Sequence, residues 1–226
     1  MKEALDLRYE LKLTCDPHWL SQARSWIRLH PEGFGVAYPP RRVNSLYLDT
    51  PDSSNLNDNL AGIAYRQKLR MRWYGDALTG IQPRLEVKQK YNMLGRKLTY
   101  QLPCTLDLTR PWREIFNHIL AHVPEAWRIR LQTTYQPTLL NRYQREYYVT
   151  PDQAVRVTLD FQQIAYDQRL AARLNVAHRL AMADNIVIEI KADQSQAQRL
   201  DAIAACFPIP RDRNSKYANG LLAALG

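Results

Sequence analysis

The segment AYRQKLRMRWYG, residues 64–75, carries a basic residue at every second position over most of its length. Arg66, Lys68, Arg70 and Arg72 form this series, and mainly apolar or aromatic residues separate them. A period of two is typical of a β-strand with one polar and one apolar face. Four cations on one face repel one another, so this strand needs negatively charged partners from the rest of the chain or from a ligand.

The same alternation predicts seven further strands, at residues 5–13, 43–50, 84–90, 96–102, 139–149, 154–162 and 185–192. The short sequence YNMLG between the fourth and fifth strands predicts a hairpin turn. Apolar residues at helical spacing predict helices at residues 17–29, 111–123, 195–207 and 215–225. Hairpin-linked strands with interspersed helices favour an α+β fold with an antiparallel sheet.

The chain has 226 residues, no low-complexity linker and no internal repeat, which predicts a single domain over residues 1–226. Its formal net charge of +9 indicates a polyanionic partner. Nucleic acid, an anionic membrane surface and a phosphate-rich small molecule all meet that description, and composition does not choose among them.

The three cysteines, Cys15, Cys104 and Cys206, are far apart and form no CxxC pair. This spacing argues against a disulfide framework and favours a reducing compartment. The N-terminal residues lack the apolar region of a signal peptide, and no apolar run approaches the roughly 20 residues that cross a bilayer. We therefore expect a cytoplasmic protein without a transmembrane segment, which would reach a membrane through a partner.

Cations recur on the polar faces of nearly all the predicted strands. The basic positions are Arg8, Lys12, Arg66, Lys68, Arg70, Arg72, Arg84, Lys88, Lys90, Lys97, Arg145, Arg156 and Lys191. The acidic positions on the same faces are Glu10, Asp49, Glu86, Asp160 and Glu189. An open, solvated face would explain any single strand. Eight strands can also close with the polar face inward, where cations require an anion such as triphosphate or polyphosphate.

Three Glu-x-Lys pairs place a carboxylate beside an ammonium on one strand face: Glu10 with Lys12, Glu86 with Lys88, and Glu189 with Lys191. A phosphate chain with a divalent metal needs both groups, because lysine contacts phosphate oxygens and glutamate ligates the ion. Each pair is also compatible with a simple salt bridge. Three pairs on separate strands favour the phosphate site.

Near the C-terminus, Asn214 or Ser215 is a candidate N-cap, which places Lys216 in the first turn of a helix. Backbone N–H groups at such an end favour phosphate. A capped terminal helix with a surface lysine is the alternative interpretation.

The chain contains no P-loop, no GxGxxG after a strand, no GxSxG and no HExxH motif. His118 and His122 are spaced four residues apart on a predicted helix. Since the sequence indicates no third ligand, they are interpreted as helix-surface residues and not as a zinc site. Phosphoryl transfer needs no covalent nucleophile, so a site built from arginine, lysine and a metal-binding glutamate suffices.

Eight short motifs occur in the order RYELK, SLYLDT, KLRMRWYG, LEVKQK, YQREYY, RVTLD, IEIK and NSKY. Together, from about residue 5 to 220, they resemble the VTC domain. This is the polyphosphate polymerase domain of the vacuolar transporter chaperone complex, within the triphosphate tunnel metalloenzyme superfamily. The resemblance implies an eight-stranded antiparallel β tunnel, a closed barrel with helices packed outside.

The resemblance further implies transfer of the γ-phosphate of ATP to a growing polyphosphate chain. The expected cofactor is a divalent metal, with Mn²⁺ preferred and Mg²⁺ possible, and the expected partners are ATP and polyphosphate. The implied catalytic residues are Arg70, Arg72, Lys88, Arg145, Arg156 and Lys216. The implied substrate-binding residues are Lys12, Lys97, Tyr143, Lys191 and Ser215, and the implied metal ligand is Glu189.

Two positions depart from a simple match. Arg96 is an alternative to Lys97 in the short hairpin, and Arg8 replaces the first glutamate of the superfamily's E-x-E-x-K signature. The missing glutamate weakens the interpretation as a triphosphatase, which uses the same site with water as acceptor. A non-catalytic module that binds polyphosphate is a third hypothesis.

Nucleic acid is not expected as a partner, because Tyr and Trp alternate onto the face opposite the cations.

Overall fold

Eight strands form one antiparallel sheet in the computed structural model, which describes residues 8–91, 94–212 and 215–224. The strands are β1 (Arg8–Cys15), β2 (Gly35–Asp49), β3 (Tyr65–Tyr74), β4 (Arg84–Tyr91), β5 (Leu94–Gln101), β6 (Gln136–Val149), β7 (Val155–Asp167) and β8 (Ile186–Asp193). Their order across the sheet is β1-β8-β7-β6-β2-β3-β4-β5, with every neighbouring pair antiparallel. The predicted α+β class and the eight antiparallel strands are confirmed. Residues 5–7 of the first predicted strand and residues 92–93 of the predicted turn lie outside the described residues.

Six α-helices accompany the sheet in the described residues. They are α1 (Leu20–Arg28), α2 (Ser54–Leu60), α3 (Trp112–His122), α4 (Glu125–Thr133), α5 (Ala197–Ala205) and α6 (Lys216–Leu222). Helices α2 and α4 are additional to those predicted. The sequence of α2, SNLNDNL, is short and polar, so it carries no helical apolar period. Within the described residues, no helix combines the length and the apolar character needed to cross a membrane.

The prediction of a closed barrel was wrong. Strands β1 and β5 are the two edges of the sheet, and the described residues form no backbone ladder between them. The sheet curls until these edges come into contact, and Lys88 Nζ on β4 lies 2.9 Å from Glu10 Oε2 on β1. Alternation in the sequence specifies which face a side chain occupies, whereas closure depends on strand tilt and stagger, which that pattern does not report.

The apolar outer face of the sheet forms two parts of the core. Strands β2, β3 and β4 pack against α3 and α4, with Leu46, Met71 and Leu85 among the fully buried contacts. Strands β1, β7 and β8 pack against α1 and α5. Burying these side chains drives the sheet to present its opposite, polar face inward. This polar side, with Glu10, Lys12 and their in-register neighbours, is the inner face.

Helices α2 and α6 pack against one end of the inner face. Tyr47 and Leu139, a cross-strand pair, contact Tyr217 and Leu221 of α6. Gly220 permits this approach, since a Cβ at that position would lie 2.5 Å from Leu139 Cδ2. The predicted external packing therefore holds for four helices, whereas α2 and α6 cover part of the inner face. Helix α6 thereby brings its first residues to the polar end of that face.

Candidate functional site

Thirteen charged side chains gather on the inner face and are named here the inner-face cluster. Its cations are Lys12, Lys68, Arg70, Arg72, Lys88, Lys97, Arg145, Lys191 and Lys216, and its carboxylates are Glu10, Glu86, Asp160 and Glu189. Cross-strand register explains the arrangement, because directly paired residues share a face. Lys12 pairs with Glu189, Arg70 with Glu86 and Arg145 with Asp160. Nine cations thus meet four carboxylates.

Glu86 is the centre of one group of ion pairs. Its carboxylate lies 2.6 Å from Arg70 Nη2, 2.6 Å from Lys97 Nζ and 3.7 Å from Arg72 Nη1. Burial raises the pKa of Glu86, but the three cations outweigh that effect and lower its pKa overall. Glu86 is therefore a carboxylate at neutral pH, and it orients two of the predicted catalytic arginines.

Asp160 is the centre of a second group, although no role was predicted for it. Its side chain is fully buried and accepts two hydrogen bonds from Arg145, at 2.5 and 2.6 Å. Lys216 of α6 places its Nζ 2.7 Å from Asp160 Oδ2. Burial raises the pKa of Asp160, and Arg145 and Lys216 reverse the shift, so the pKa is lowered overall. This bidentate pair fixes the plane of the Arg145 guanidinium.

Glu189, the predicted metal ligand, is 6% exposed and lies beside four cations of the cluster. Its carboxylate is 2.6 Å from Lys191 Nζ and 3.3 Å from Arg145 Nη2. Lys12 and Lys216 approach it at 3.6 and 3.9 Å. Burial opposes ionisation, but these cations hold the pKa of Glu189 well below its usual range. Glu189 is therefore charged and close to the cations predicted to bind phosphate.

Tyr143 lies between these groups. Its hydroxyl accepts a hydrogen bond from Arg72 Nη2 at 3.2 Å, and its ring faces Arg145 and Lys216 at 5.3 and 5.0 Å from the ring centre. Ser45 also accepts hydrogen bonds from Arg72, at 3.1 and 3.2 Å. The tyrosine is 2% exposed. Tyr143 and Ser45 therefore hold three cations in place without neutralising them.

Lys68 belongs to the cluster but was not predicted as a site residue. Its Nζ donates to Ser215 Oγ at 2.9 Å. Burial lowers the pKa of Lys68 to about 7, and the nearby charges of Lys12 and Lys88 contribute to the shift. Its place in the alternating series of residues 64–75 was the signal that could have identified it. Lys68 is therefore a partly buried lysine close to other cations of the cluster.

Ser215 is the N-cap of α6, and its Oγ accepts from the backbone N–H of Ala218 at 3.3 Å. Asn214, the alternative N-cap, lies outside the described residues. The same Ser215 hydroxyl faces Lys68, while the next residue, Lys216, reaches Asp160. Both predicted residues of this helix end are therefore brought to the cluster.

Lys88 joins β4 to β1 through its 2.9 Å contact with Glu10, and Glu10 also lies 3.3 Å from Lys12. Lys97 pairs in register with Lys88 and reaches Glu86, so Lys97 and not Arg96 faces the cluster. The two lysines are the most exposed members, at 42% and 48% of their side chains. They mark an accessible side of the cluster.

Arg156 is the one predicted residue that the structure does not bring into the cluster. It pairs with Lys191 across β7 and β8 and therefore lies on the inner face. Its side chain is exposed, and no hydrogen bond or ion pair joins it to the described residues. Arg156 therefore lies on the same face as the cluster with its side chain in solvent.

No curated protein matches the chain in sequence. A Vibrio parahaemolyticus structure, provisionally described as an adenylate cyclase, is similar with a TM-score of 0.54 and 13% identity. The match covers 94% of this chain and 96% of that chain, and at this identity it shows the fold alone.

The Mediator head module of Schizosaccharomyces pombe gives a TM-score of 0.45 at 10% identity, covering 88% of this chain and 89% of that chain. This likeness is too weak to support any inference. The sequence profile of the VTC domain matches residues 7–225, nearly the full length. This match confirms the resemblance found in the eight motifs: the chain belongs to the VTC domain family.

Proposed function

We propose that the inner-face cluster binds the phosphate chains of ATP and polyphosphate, and that the protein transfers the γ-phosphoryl group of ATP to polyphosphate. The observation that carries this proposal is the surplus of cations on a partly buried face. Nine cations share four carboxylates, and burial together with the charges of Lys12 and Lys88 lowers the pKa of Lys68 to about 7. Membership of the VTC domain family supports an enzyme that acts on phosphate compounds.

A linear polyanion fits this surplus better than a compact anion does. The cations come from six strands and from α6, and most of them gather in two groups, one around Glu86 and one around Glu189. The first group holds Arg70, Arg72 and Lys97, and the second holds Lys12, Arg145, Lys191 and Lys216. Successive phosphates along this surface would relieve the repulsion.

Arginine suits the positions next to the reacting phosphate. Its planar guanidinium binds two phosphate oxygens at once and stays charged at any physiological pH. Glu86, Asp160 and Tyr143 orient Arg70, Arg72 and Arg145 before any ligand arrives. Such preorganised cations stabilise negative charge that develops on the transferred group.

The proposed step breaks the bond between the γ-phosphorus of ATP and the oxygen that bridges it to the β-phosphate. A terminal oxygen of polyphosphate forms the new bond to that phosphorus, and ADP leaves. Lys12, Lys68 and Lys88 would hold the phosphate chain, and the arginines would stabilise the charge of the group in transfer.

The donor set near Glu189 fits the divalent metal that the family implies. Thr158 pairs with Glu189 across β7 and β8, and its Oγ1 is buried without a hydrogen-bond partner among the described residues. Carboxylate and hydroxyl oxygens suit Mn²⁺ and Mg²⁺. Glu189 and Thr158 would hold the ion, with the remaining ligands from phosphate oxygens and water, as is usual for Mg²⁺. When bound, the ion neutralises charge on the phosphate oxygens.

The test is phosphorus NMR of the purified protein with ATP and Mn²⁺, run beside a gel stained for polyphosphate. The proposal predicts mid-chain phosphate signals with a matching amount of ADP. Orthophosphate without chains would contradict the polymerase and indicate a triphosphatase. Unchanged ATP together with tight triphosphate binding would indicate a non-catalytic binding module.

A further inference from the structure

A second group of metal-ligand side chains lies on the opposite side of the sheet from the inner-face cluster. Cys104 follows β5 in the loop that leads to α3, and His118 and His122 lie one turn apart on α3. One ligand atom from each residue, the Cys104 Sγ and a ring nitrogen of each histidine, lies within 4.8 Å of the other two. The fold supplies the third ligand that the sequence did not indicate.

The hydrogen bonding of His122 prepares it to bind a metal. Its Nδ1 lies 2.8 Å from the backbone carbonyl oxygen of His118, and a carbonyl only accepts, so Nδ1 carries the proton. The lone pair of the neutral ring is then on Nε2. Metal-bound histidines usually donate their second ring N–H to a carboxylate or a backbone carbonyl in this way.

The spacing of the three donors is close to that of a tetrahedral site. Bonds of about 2.0–2.3 Å from Zn²⁺ to nitrogen and sulfur place neighbouring ligand atoms roughly 3.3–3.6 Å apart. The observed limit of 4.8 Å is wider, so binding would draw the exposed histidine side chains and the partly buried Cys104 closer together. The two imidazole rings already lie side by side, with centres 4.5 Å apart and planes tilted by 44°.

We propose that Cys104, His118 and His122 bind one Zn²⁺ ion, with water in the fourth position. A thiolate and two imidazoles form a donor set that suits Zn²⁺ and not the oxygen-preferring Mg²⁺. Cys104 packs against the outer-face core beneath α3. The ion would therefore fasten the loop that follows β5 to the helix that covers this core. This site is independent of phosphate binding at the inner-face cluster.

The test uses Co²⁺ as a spectroscopic probe of the tag-free protein, in buffer with excess Mg²⁺ to occupy sites with oxygen ligands. The expected result is one equivalent of Co²⁺ with a thiolate-to-metal charge-transfer band and strong tetrahedral absorption, both removed by Zn²⁺. Cys104→Ser should lose the charge-transfer band. His118→Gln and His122→Gln should each weaken binding by at least about 100-fold, since loss of an outer-shell partner alone costs 10- to 100-fold.

Matched controls use residues of the same type elsewhere on the surface. Cys206→Ser and His18→Gln replace an exposed cysteine and an exposed histidine that lie far from α3 in the chain, and both should bind Co²⁺ as the wild type does. Both histidines of the site are exposed, so without added metal their variants should keep the thermal midpoint of the metal-free wild type and test the site even if Cys104→Ser unfolds. Absence of a thiolate band, or wild-type binding by the histidine variants, would overturn the proposal.

Discussion

Lys68 Nζ lies 2.9 Å from Ser215 Oγ, so the fourth residue of β3 meets the N-cap of α6 on the inner face. The ammonium also lies 5.4 Å from the centre of the Tyr217 ring. No carboxylate of the described residues comes within ion-pair distance of it, and burial with Lys12 and Lys88 nearby lowers its pKa to about 7. This contact therefore joins β3 to α6, and both elements supply residues of the proposed phosphate site.

The protonation of Lys68 should control affinity for triphosphate near neutral pH. Its folded-state pKa of about 7 lies below the ordinary value of 10.5, so the bare protein gains stability as pH rises from 7 toward 10.5. Triphosphate binds the charged form of Lys68, so the affinity of the protein for triphosphate should fall as the pH rises. Calorimetric titration should measure the affinity of the wild type for inorganic triphosphate divided by that of Lys68→Arg. This ratio should fall about tenfold from pH 6 to pH 8.

The arginine variant is the internal control for that experiment, because arginine keeps its charge over this pH range. The protonation of triphosphate itself changes with pH in the same way for both proteins. A ratio of affinities that stays constant between pH 6 and pH 8 would contradict the assignment of Lys68 to the binding site.

Replacing Asp160 with asparagine should destabilise the fold. The carboxylate is fully buried between Arg145 and Lys216, and its loss leaves these two cations with only the more distant Glu189, at 3.3 and 3.9 Å. We expect the free energy of unfolding in urea to fall by about 3 kcal/mol. Asp201→Asn removes an exposed partner of Arg211 and should cost at most about 1 kcal/mol. Equal losses in the two variants would disprove the central role of Asp160.

Tyr217→Phe should loosen α6 from the sheet. The Tyr217 hydroxyl donates to the buried Asp49, which also accepts from the backbone N–H groups of Asn55 and Leu56 in α2. Removing the hydroxyl leaves a buried carboxylate with one donor fewer, at a cost of about 1–3 kcal/mol. Turnover should fall as well, since Ser215 and Lys216 directly precede this residue.

The measurement for that variant is urea unfolding together with product formation from ATP. Tyr135→Phe, at an exposed tyrosine, is the matched control and should change neither quantity. Loss of stability without any loss of turnover would show that the position of α6 does not matter for the reaction.

Arg70→Ala should lower turnover strongly and leave the fold intact. Its guanidinium contacts Glu86, which retains Lys97 at 2.6 Å when Arg70 is absent, so no carboxylate is left unpaired. Loss of one preorganised donor should lower the rate of product formation about 100- to 1,000-fold. The exposed Arg110 pairs only with surface carboxylates in the described residues, and Arg110→Ala serves as the control. Wild-type turnover in Arg70→Ala would refute its place in the site.

Strand identity could be predicted because each strand alternates between a buried face and a polar face. All eight predicted segments correspond to observed strands, and the cations Lys12, Arg70 and Lys191 lie on the inner face as expected. Period two is a local property that follows from backbone geometry. It therefore assigns the face of each side chain without knowledge of the tertiary structure.

The alternation could not predict how the sheet closes or which side chains balance each buried charge. The ion pair of Lys88 with Glu10 joins β4 to the edge strand β1, and the described residues form no backbone ladder between β1 and β5. Such closure depends on the curvature of the whole sheet. The roles of Asp160 and Lys68 depend on α6 folding back onto the inner face, a contact between residues far apart in sequence. Cys104 likewise meets the two histidines only after α3 packs on the sheet.

The central claim, that the inner-face cluster holds a phosphate chain, is tested most directly by calorimetric titration with inorganic triphosphate. The wild type should bind one equivalent, and a Lys12→Met, Lys88→Met double variant should bind about 100-fold more weakly, since two charged hydrogen bonds are lost. A control double variant, Arg110→Ala with Arg128→Ala, changes two exposed arginines, one just before α3 and one in α4. It should bind as the wild type does. Equal affinity in the lysine variant, or no binding by the wild type, would contradict the claim.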